Sequence, residues 1–344
     1  MTSLSKSPLQ SKAAHCFLPI AYCKLPIACC LVSIVCCLLP VAGNSQLQWV
    51  NVDAQFQPLP AGVHVYKTES LIDKKPNIAY YAEADLHNRE LDFTVDTTMK
   101  RRLTPLQYFN KNDQPVLVVN CTFFEFAQSH NLNVVIKNGK LLGYNIAAVN
   151  GRGKDTFTYR HPLGSAIGIT KNGTADVAWL LTDSSKKYAY ASQVPVAAVK
   201  DSFPKPSFDY LYPKTLKLKK WKMKTAVGGG PVLLQNGEVQ VTNNEELKFA
   251  GKAIDDKHPR TAMGYTNDGR LIVLCIQGRF PGLAEGATLP QEAQILKDLG
   301  CNEALNLDGG GSSCLLINGK ETIKPSDKEG ERPVPAVFII KQKK

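Results

Sequence analysis

Five Asn-Gly or Asp-Gly dipeptides restrict the fold of this 344-residue chain more than any other feature of its sequence. They lie between short runs of β-branched and apolar residues, at positions 138–139, 172–173, 236–237, 268–269 and 318–319. In a two-residue hairpin turn both residues adopt positive φ, which Asn, Asp and Gly tolerate and which matches the twist of the flanking strands. The sequence therefore predicts β-hairpins at these positions and sheets that are largely antiparallel.

Helices are predicted in only two places. In "TLPQEAQILKDLG", Thr288 suits the N-cap, Gln291 completes a capping box, and Gly300 ends the helix. A shorter helix is predicted after Thr104-Pro105. Because strands outnumber helices and do not alternate with them, we predict an α+β fold of antiparallel twisted sheets with a few flanking helices.

The first 43 residues differ in composition from the rest of the chain. They contain three lysines, no acidic residue and the apolar run "LPIACCLVSIVCCLLPVAG". This pattern predicts a signal peptide over residues 1–43, and the alternative is an uncleaved membrane anchor. No later segment is apolar for long enough to span a bilayer. We therefore predict one exported domain over residues 46–344, in the periplasm, the cell envelope or outside the cell, with the proline-rich segment 195–213 as an insertion.

Charge and cysteine content constrain the partners only weakly. The net charge of +11 favours anionic partners in general. The lysine-rich segment 214–224 could contact nucleic acid, but its apolar positions alternate with a one-residue slip, which predicts a bulged strand with solvated lysines. Four cysteines follow the leader, namely Cys121, Cys275, Cys301 and Cys314. They could form up to two disulfides, although Cys275 could also be a small buried apolar residue. No cysteine or histidine spacing predicts a zinc site, and we predict no metal and no cofactor.

The stretch "NLDGGGSS", residues 306–313, fits neither common phosphate-binding loop. A P-loop ends in Gly-Lys-Ser/Thr, a GxGxxG loop would need glycine at position 314, and both precede a helix, whereas a strand is predicted here. Successive glycine amides can bind an anion, and two serine hydroxyls lie beside them. The alternative is a tight turn in which Asp308 accepts hydrogen bonds from its own loop. The residues alone leave both interpretations open.

Two further stretches allow a structural or a binding role. The triplet Gly228–Gly230 is explained equally well by close packing of backbone against backbone or by contact with a ligand. Asn120 ends an apolar strand, where an unpaired amide would be costly, so its side chain needs a partner. That partner could be the protein core or a sugar hydroxyl.

A histidine and two arginines flank one predicted hairpin. His258 and Arg260 precede its first strand, and Arg279 follows its second strand, so all three are expected at one end of a sheet. Arginine is suited to a phosphate or carboxylate, and histidine can donate to the same anion or transfer a proton. The alternative is that these arginines form ordinary surface ion pairs.

Taken in order, these stretches resemble the phosphodiester glycosidase family. The resemblance extends from about residue 116 to 338 and rests on "NCTFF", "AVGGGPVLLQNGE", "HPRTAMGYTNDGRL" and "LGCNEALNLDGGGSSCLLINGK". It implies an exported enzyme that hydrolyses a sugar-1-phosphodiester, such as a GlcNAc-1-phosphodiester of a glycan or glycolipid. The sugar C–O bond would break, releasing the sugar and a phosphomonoester.

The resemblance also implies roles for individual residues. Asp308 would stabilise the cation-like anomeric carbon or activate water. Arg260, Arg279 and His258 would bind the phosphate. Asn120 and Asn306 would position the sugar. The remaining predicted substrate contacts are Gly229, Gly230, Gln277, Gly309, Gly310, Gly311, Ser312 and Ser313.

Three departures from the family pattern bear on catalysis. Cys121 and Thr122 replace glycines, and Gln277 and Gln291 replace carboxylates that relatives commonly carry. Glu285 and Glu292 are candidates for a second carboxylate, but Glu292 is a poor direct replacement for residue 291, because one helical step rotates a side chain by about 100°. Glu125 is a further candidate. The alternatives to an enzyme of this kind are a non-catalytic carbohydrate or envelope-polymer binding module, and a metal-dependent phosphodiesterase.

Overall fold

A computed structural model describes residues 46–98, 100–205 and 216–343. Residues Gln46–Lys344 form one compact unit. The predicted signal peptide lies outside the described residues, as do residues 206–213 at the end of the proline-rich segment. No helix in the described ranges combines the length and apolar character needed to cross a membrane.

Three antiparallel sheets make up most of this unit, with strands numbered along the chain. The eight-stranded sheet has the order β1-β2-β3-β21-β20-β22-β18-β19. Its strands are β1 (Val50–Asn51), β2 (Val63–Thr68), β3 (Ala79–Asp85), β18 (Val232–Gln235), β19 (Glu238–Val239), β20 (Arg260–Thr266), β21 (Arg270–Ile276) and β22 (Cys301–Asn306).

The seven-stranded sheet has the order β16-β14-β13-β12-β17-β8-β9. Its strands are β8 (Val135–Lys137), β9 (Lys140–Gly143), β12 (Gly164–Ile169), β13 (Ala175–Leu181), β14 (Ala189–Ser192), β16 (Lys219–Trp221) and β17 (Thr225–Gly228). The five-stranded sheet has the order β24-β23-β5-β25-β4. Its strands are β4 (Leu91–Thr97), β5 (Leu117–Asn120), β23 (Leu315–Ile317), β24 (Lys320–Glu321) and β25 (Ala336–Gln342).

Two small sheets and short helices complete the described fold. The small sheets contain β10 (Val149–Asn150), β11 (Tyr159–His161) and β15 (Val199–Asp201), and β6 (Phe124–Glu125) with β7 (His130–Asn131). The α-helices are α1 (Pro105–Lys111), α2 (Asn243–Glu246) and α3 (Leu289–Asp298), and three 3-10 turns span Asp53–Gln55, Gly153–Asp155 and Gly310–Ser312.

Every predicted Asn-Gly or Asp-Gly turn joins two antiparallel neighbours, namely β8-β9, β12-β13, β18-β19, β20-β21 and β23-β24. In the last of these turns Asn318 and Gly319 have φ of 49° and 76°, as a two-residue hairpin turn requires. The prediction of largely antiparallel sheets is confirmed. The α+β assignment overstated the helices, since all three α-helices within the described residues are short and sheets dominate.

Both predicted helices form, and the capping box predicted at Thr288 is present, with a second one at Thr104. Thr104 and Thr288 each accept a hydrogen bond from the backbone N–H three residues later, and the glutamine there accepts one in return. One face of α3 packs Leu289, Ala293 and Leu296 against the eight-stranded sheet. The opposite face of this sheet shares a second apolar cluster with the other two sheets, through residues such as Val273, Val227 and Val119.

The lysine-rich segment lies at a sheet edge, and the four cysteines lie in the core. Trp221 is buried while Lys219 and Lys220 are exposed, so the described part of the lysine-rich segment is an edge strand with solvated lysines. The four cysteines after the leader are buried free thiols, so the possible disulfides are absent from the described residues. Burial raises the pKa of Cys275 to about 12, as expected for a small buried apolar residue.

Candidate active site

Asp308 lies where the eight-stranded sheet meets the five-stranded sheet. It follows β22, and the Leu307 N–H donates to the Thr261 carbonyl of neighbouring β20 at 2.8 Å. The next amide, that of Asp308, donates instead to the carbonyl of Cys121 just beyond β5, also at 2.8 Å. The chain therefore crosses from one sheet to the other at Asp308.

Asn120 fixes this crossing from within the core. Its Nδ2 donates to the Asp308 carbonyl, and its Oδ1 accepts from Thr261 Oγ1 at 3.1 Å and from the Cys314 amide at 3.0 Å. The side chain has no exposed surface. These contacts correspond to the core role that the sequence left open, and they correct the assignment of Asn120 as a direct sugar contact, since its amide is already used and inaccessible.

The glycine turn does not present a row of free amides. The Gly310 N–H donates to the Pro259 carbonyl at 2.9 Å, while those of Ser312 and Ser313 donate to Gly309 and Gly310 at 3.1 and 3.2 Å. Among the three glycine amides of the expected anion cradle, that of Gly310 is therefore already occupied by a backbone carbonyl, and the two serine amides that follow are occupied as well. This corrects the cradle in its simple form and favours the tight-turn interpretation.

The glycines are needed because other groups pack directly on the turn. A Cβ at Gly311 would lie 2.1 Å from Nη2 of Arg332, and one at Gly310 would lie 2.9 Å from Nη2 of Arg279. Gly310 also has φ of +61°, in the left-handed region that favours glycine. The lack of side chains at both glycines therefore lets two guanidinium groups approach the backbone of the turn.

The carboxyl group of Asp308 has a pKa near neutral pH. Burial raises its pKa to about 7, although a hydrogen bond from Ser312, the positive charge of Arg332 and the Gly309 amide each act in the opposite direction. A carboxyl group with this pKa is divided between its two protonation states at neutral pH, which suits a general base.

Arg332 is a site residue that the sequence did not reveal. Its Nε and Nη2 donate to the two carboxylate oxygens of Asp327 at 2.7 and 3.0 Å, and its Nη1 donates to Ser312 Oγ at 3.4 Å. The ion pair with Asp327 holds the guanidinium beside the Asp308 turn. No spacing or motif connects position 332 with position 308, so only the fold brings them together.

His258 and the two predicted arginines do lie at one end of the eight-stranded sheet, close enough for the arginine charges to act on the imidazole. Burial lowers the pKa of His258, and the charges of Arg260 and Arg279 lower it further, so the imidazole is neutral at neutral pH. Its Nδ1 is buried and has no hydrogen-bond partner within the described ranges. Arg279 is exposed and contacts Gly310, whereas Arg260 is only 3% exposed.

Arg260 is held by the protein backbone beside a buried carboxyl group. Its Nε donates to the Ala287 carbonyl at 2.8 Å and its Nη2 to the Asp256 carbonyl at 2.9 Å. Glu292 is completely buried nearby, and neither of its carboxyl oxygens has a hydrogen-bond partner among the described residues. Burial raises the pKa of Glu292 to about 8, although the charge of Arg260 opposes this shift.

Gln277 and Gln291, at positions where the resemblance implies carboxylates, both make structural contacts. Gln291 accepts from the Thr288 amide at 2.9 Å and donates to Asp73, outside the core. Gln277 Oε1 accepts from the Lys324 amide at 2.9 Å. Residue 291 thus faces away from Glu292, as the helical step predicts.

The other carboxylate candidates are not joined to the Asp308 turn by any hydrogen bond in the described structure. Glu285 pairs with Lys75 at 3.6 Å. Glu125 accepts from the amides of Ala127 and Gln128 at 2.8 and 2.6 Å. Among these candidates, Glu292 alone is a buried carboxyl group beside a predicted phosphate-binding arginine.

Asn306 and the second glycine triplet pack against each other. Asn306 Nδ2 donates to the Gly230 carbonyl, and the Gly230 N–H donates to the Asn306 carbonyl, both at 2.7 Å. A Cβ at Gly229 would lie 2.3 Å from the same Asn306 oxygen. These contacts support the backbone-packing interpretation of Gly229 and Gly230. Asn306 Oδ1 is buried without a partner among the described groups.

Lys248 is a second residue that the sequence did not reveal. A Cβ at Gly230 would lie 2.5 Å from its Cε, so the lysine packs beside the Gly230–Asn306 contact. Its Nζ lies 5.4 Å from the centre of the Phe123 ring, and burial lowers its pKa. The described residues provide no hydrogen bond or ion pair for this ammonium group. The carboxylate of Glu246 acts on it through its charge alone and accepts hydrogen bonds from Ser165, Thr242 and Val232.

Comparison with known proteins now identifies the family. Residues 113–341 match the sequence profile described as phosphodiester glycosidase. The chain belongs to the phosphodiester glycosidase family. Members of this family are glycosidases, and the matched range agrees with the resemblance found at residues 116–338.

The chain spans only a small part of the length of the relatives that it matches. N-acetylglucosamine-1-phosphodiester alpha-N-acetylglucosaminidase of Mus musculus is 28% identical over 103 residues, covering 28% of this chain and 20% of that protein. The human enzyme of the same name is 31% identical over 103 residues, covering 28% and 20%. An uncharacterized SPbeta prophage-derived protein of Bacillus subtilis is 38% identical over 71 residues, covering 21% and 11%.

Solved structures share the fold over most of the chain. The catalytic domain of the zebrafish N-acetylglucosamine-1-phosphodiester alpha-N-acetylglucosaminidase, auto-inhibited by its pro-peptide, has a TM-score of 0.53 and 19% identity, covering 88% of this chain and 90% of that one. A hypothetical protein from Synechocystis has a TM-score of 0.54 and 17% identity, covering 86% and 68%. At these identities the similarity concerns the fold alone.

Proposed function

We propose that this phosphodiester glycosidase hydrolyses sugar-1-phosphodiesters at the sugar C–O bond, with a GlcNAc-1-phosphodiester as the model substrate. The observation that carries the proposal is the position of Asp308. Its carboxyl group lies in a turn that two arginines contact. Arg332 donates to Ser312 Oγ, and Arg279 packs against Gly310. A developing positive charge on the sugar and a negative charge on the phosphate would thus meet opposite charges within one turn.

The reaction exchanges one bond at the anomeric carbon. The bond between C1 and the bridging oxygen breaks, and its electron pair leaves with the phosphate. The oxygen of a water molecule bonds to C1, and its proton passes to Asp308 or to the departing phosphate. Asp308 acts either as the base for this water or as the stabiliser of the cation-like C1.

A second carboxyl group is not essential to this scheme. A phosphate leaving group requires less protonation than an ordinary alcohol, so a strong general acid contributes less. Arg279 is exposed beside the turn and would stabilise the departing phosphate directly. Arg260 is buried and engaged with backbone carbonyls, so we propose that it acts on the site through its charge.

Lys248 extends the proposed site on the side of Gly230. An ammonium group over an aromatic ring, without an acceptor among the described residues, provides a positive charge for the substrate phosphate. Asn306 is only 1% exposed and its unpartnered Oδ1 is buried, so, like Asn120, it supports the core beside the site and is not retained as a direct sugar contact.

Hydrolysis in isotopically labelled water tests the bond that breaks. The purified protein would be incubated with a GlcNAc-1-phosphodiester in ¹⁸O-water, and the products analysed by mass spectrometry. Label in the released sugar is expected. Label in the phosphate would instead indicate P–O cleavage, as in a metal-dependent phosphodiesterase, and chelator sensitivity would support that alternative.

A non-catalytic binding module is the second candidate function. It is favoured by Gln277 and Gln291, which replace carboxylates common in relatives and make structural hydrogen bonds here. Saturable binding of the phosphodiester with no release of sugar, in both the wild type and Asp308→Asn, would support this candidate and contradict hydrolysis.

Export remains part of the proposal and is supported by the composition of residues 1–43. Cell fractionation of the full chain and of a variant lacking residues 1–43 tests it. Retention of both proteins in the cytoplasm would contradict export.

A further inference from the structure

An exposed phenyl ring lies beside the Asp308 turn, between two arginines. Phe126 is 56% exposed, and its ring centre lies 4.7 Å from that of Phe124, which is buried. The guanidinium carbons of Arg102 and Arg332 each lie 5.4 Å from the centre of the Phe126 ring. Contacts with Phe124 and the two arginines hold the Phe126 ring at the surface, although an apolar ring is ordinarily expected in the core.

Arg332 connects this ring to the proposed reaction centre. The same guanidinium group that contacts Phe126 donates to Ser312 Oγ at 3.4 Å, and its charge acts on Asp308. The Phe126 ring is therefore separated from the Asp308 turn by one side chain. A substrate bound at Asp308 would extend over this ring if its leaving group pointed towards Arg332.

The two arginines differ in how their charges are compensated. Asp327 binds Arg332 through two hydrogen bonds. Arg102 contacts the rings of Phe124 and Phe126 at 5.5 and 5.4 Å, and it makes no hydrogen bond or ion pair within the part of the chain that the structure describes. The carboxylate of Glu125 interacts with Arg102 only through its charge. Its guanidinium group is thus held in place by stacking, and its donors remain available to an anion.

We propose that Phe126, Arg102 and Arg332 form a subsite for the leaving-group side of a polymeric substrate, a glycan whose sugars are joined through phosphodiesters. In such a polymer the unit after the scissile phosphate is a sugar followed by another phosphate. The sugar ring would pack on Phe126, and the second phosphate would bind Arg102. This inference rests on the proposed function and specifies its substrate class.

The test compares two substrates in four variants. The substrates are a glycan of several sugar-phosphate repeats and a GlcNAc-1-phosphodiester with a methyl leaving group, and the measured quantity is the ratio of their kcat/KM values. Phe126→Ala and Arg102→Ala are each expected to lower this ratio about tenfold, as for loss of one charge-assisted or stacking contact. Added salt is expected to lower the wild-type ratio as well.

Matched controls are available in the same chain. Arg101 is an exposed neighbour without a ring contact among the described residues, and Phe157 is 88% exposed with no arginine against it in the described structure. Arg101→Ala and Phe157→Ala are expected to keep the wild-type ratio. An unchanged ratio in Phe126→Ala and Arg102→Ala, or an equal loss in the controls, would overturn the subsite.

Failure of the proposed function would give a different result. If the wild type released no sugar from either substrate, hydrolysis would be contradicted, and the subsite would then be tested by calorimetric binding of the same oligomer. Weaker binding to Arg102→Ala than to Arg101→Ala would support the subsite. Equal binding to both variants would overturn it.

Discussion

The buried carboxyl group of Glu292 makes a quantitative prediction about stability and pH. Glu292 is completely buried, has no hydrogen-bond partner among the described residues, and has a pKa raised by burial to about 8 from a reference value of 4.5. The folded protein therefore keeps a proton that the unfolded chain releases above pH 4.5. Because the folded pKa is the higher one, this group lowers the stability of the fold increasingly as pH rises from about 4.5 to about 8.

The size of this effect follows from the two pKa values. Each pKa unit corresponds to 1.36 kcal/mol, so the cost is about 1 kcal/mol at pH 5 and about 4 kcal/mol at pH 7.5. Glu292→Gln replaces the protonated carboxyl group by a neutral amide of similar shape and should remove this cost. The variant is therefore expected to be about 3 kcal/mol more stabilised at pH 7.5 than at pH 5.

Urea unfolding at several pH values measures this difference. Glu292→Leu is a useful second variant, because it also removes the unpartnered polar atoms and should stabilise the fold at every pH. Gln291→Leu is the opposite control, since it removes a capping contact and should destabilise without a pH trend. A stabilisation by Glu292→Gln that does not change between pH 5 and pH 7.5, or a loss of stability at pH 7.5, would refute the reasoning.

Three further predictions concern the Asp308 site. Asp308→Asn should lower kcat by about 10²–10⁴-fold with an unchanged circular dichroism spectrum, and wild-type kcat/KM should fall as pH decreases below about 7, the pKa of Asp308; near-full activity of the variant would remove Asp308 from the mechanism. Lys248→Met should raise KM for the phosphodiester about tenfold and leave the affinity for free sugar unchanged. Replacement of an exposed lysine by Lys252→Met should change neither quantity. Gly311→Ala should displace Arg332 and shift the acidic limb of the pH profile upwards, because the charge of Arg332 lowers the pKa of Asp308; an unshifted limb would contradict this electrostatic role.

The sequence predicted the features that depend on neighbouring residues. A hairpin turn and a capping box each involve a few consecutive positions, so Asn318-Gly319 and Thr288 with Gln291 indicated their own structures. The family resemblance likewise located the Asp308 turn, because its motif is continuous in the chain. The helical share of the fold was overestimated. The sequence located two short helices, but how small a part of the fold they form depends on the size of the sheets.

The roles that remained open depend on contacts between distant positions. Whether Asn120 orders the core or binds a sugar depended on Thr261 and Cys314, which come close only in the folded protein. Arg332 and Lys248 carry no motif, and their importance arises from the turn and the glycines on which they pack. Glu292 was set aside as a substitute for residue 291 on sound helical geometry, but its burial beside Arg260 could not be read from spacing.

The crossing of the chain at Asp308 also affects how this site can change during evolution. Asp308 is positioned by the carbonyl of Cys121, an atom that every amino acid supplies, and by the side chain of Asn120. The side chain at position 121 can therefore change without loss of the backbone bond that holds Asp308. Position 120 has no such freedom, because its side-chain amide also ties the crossing to Thr261 and Cys314.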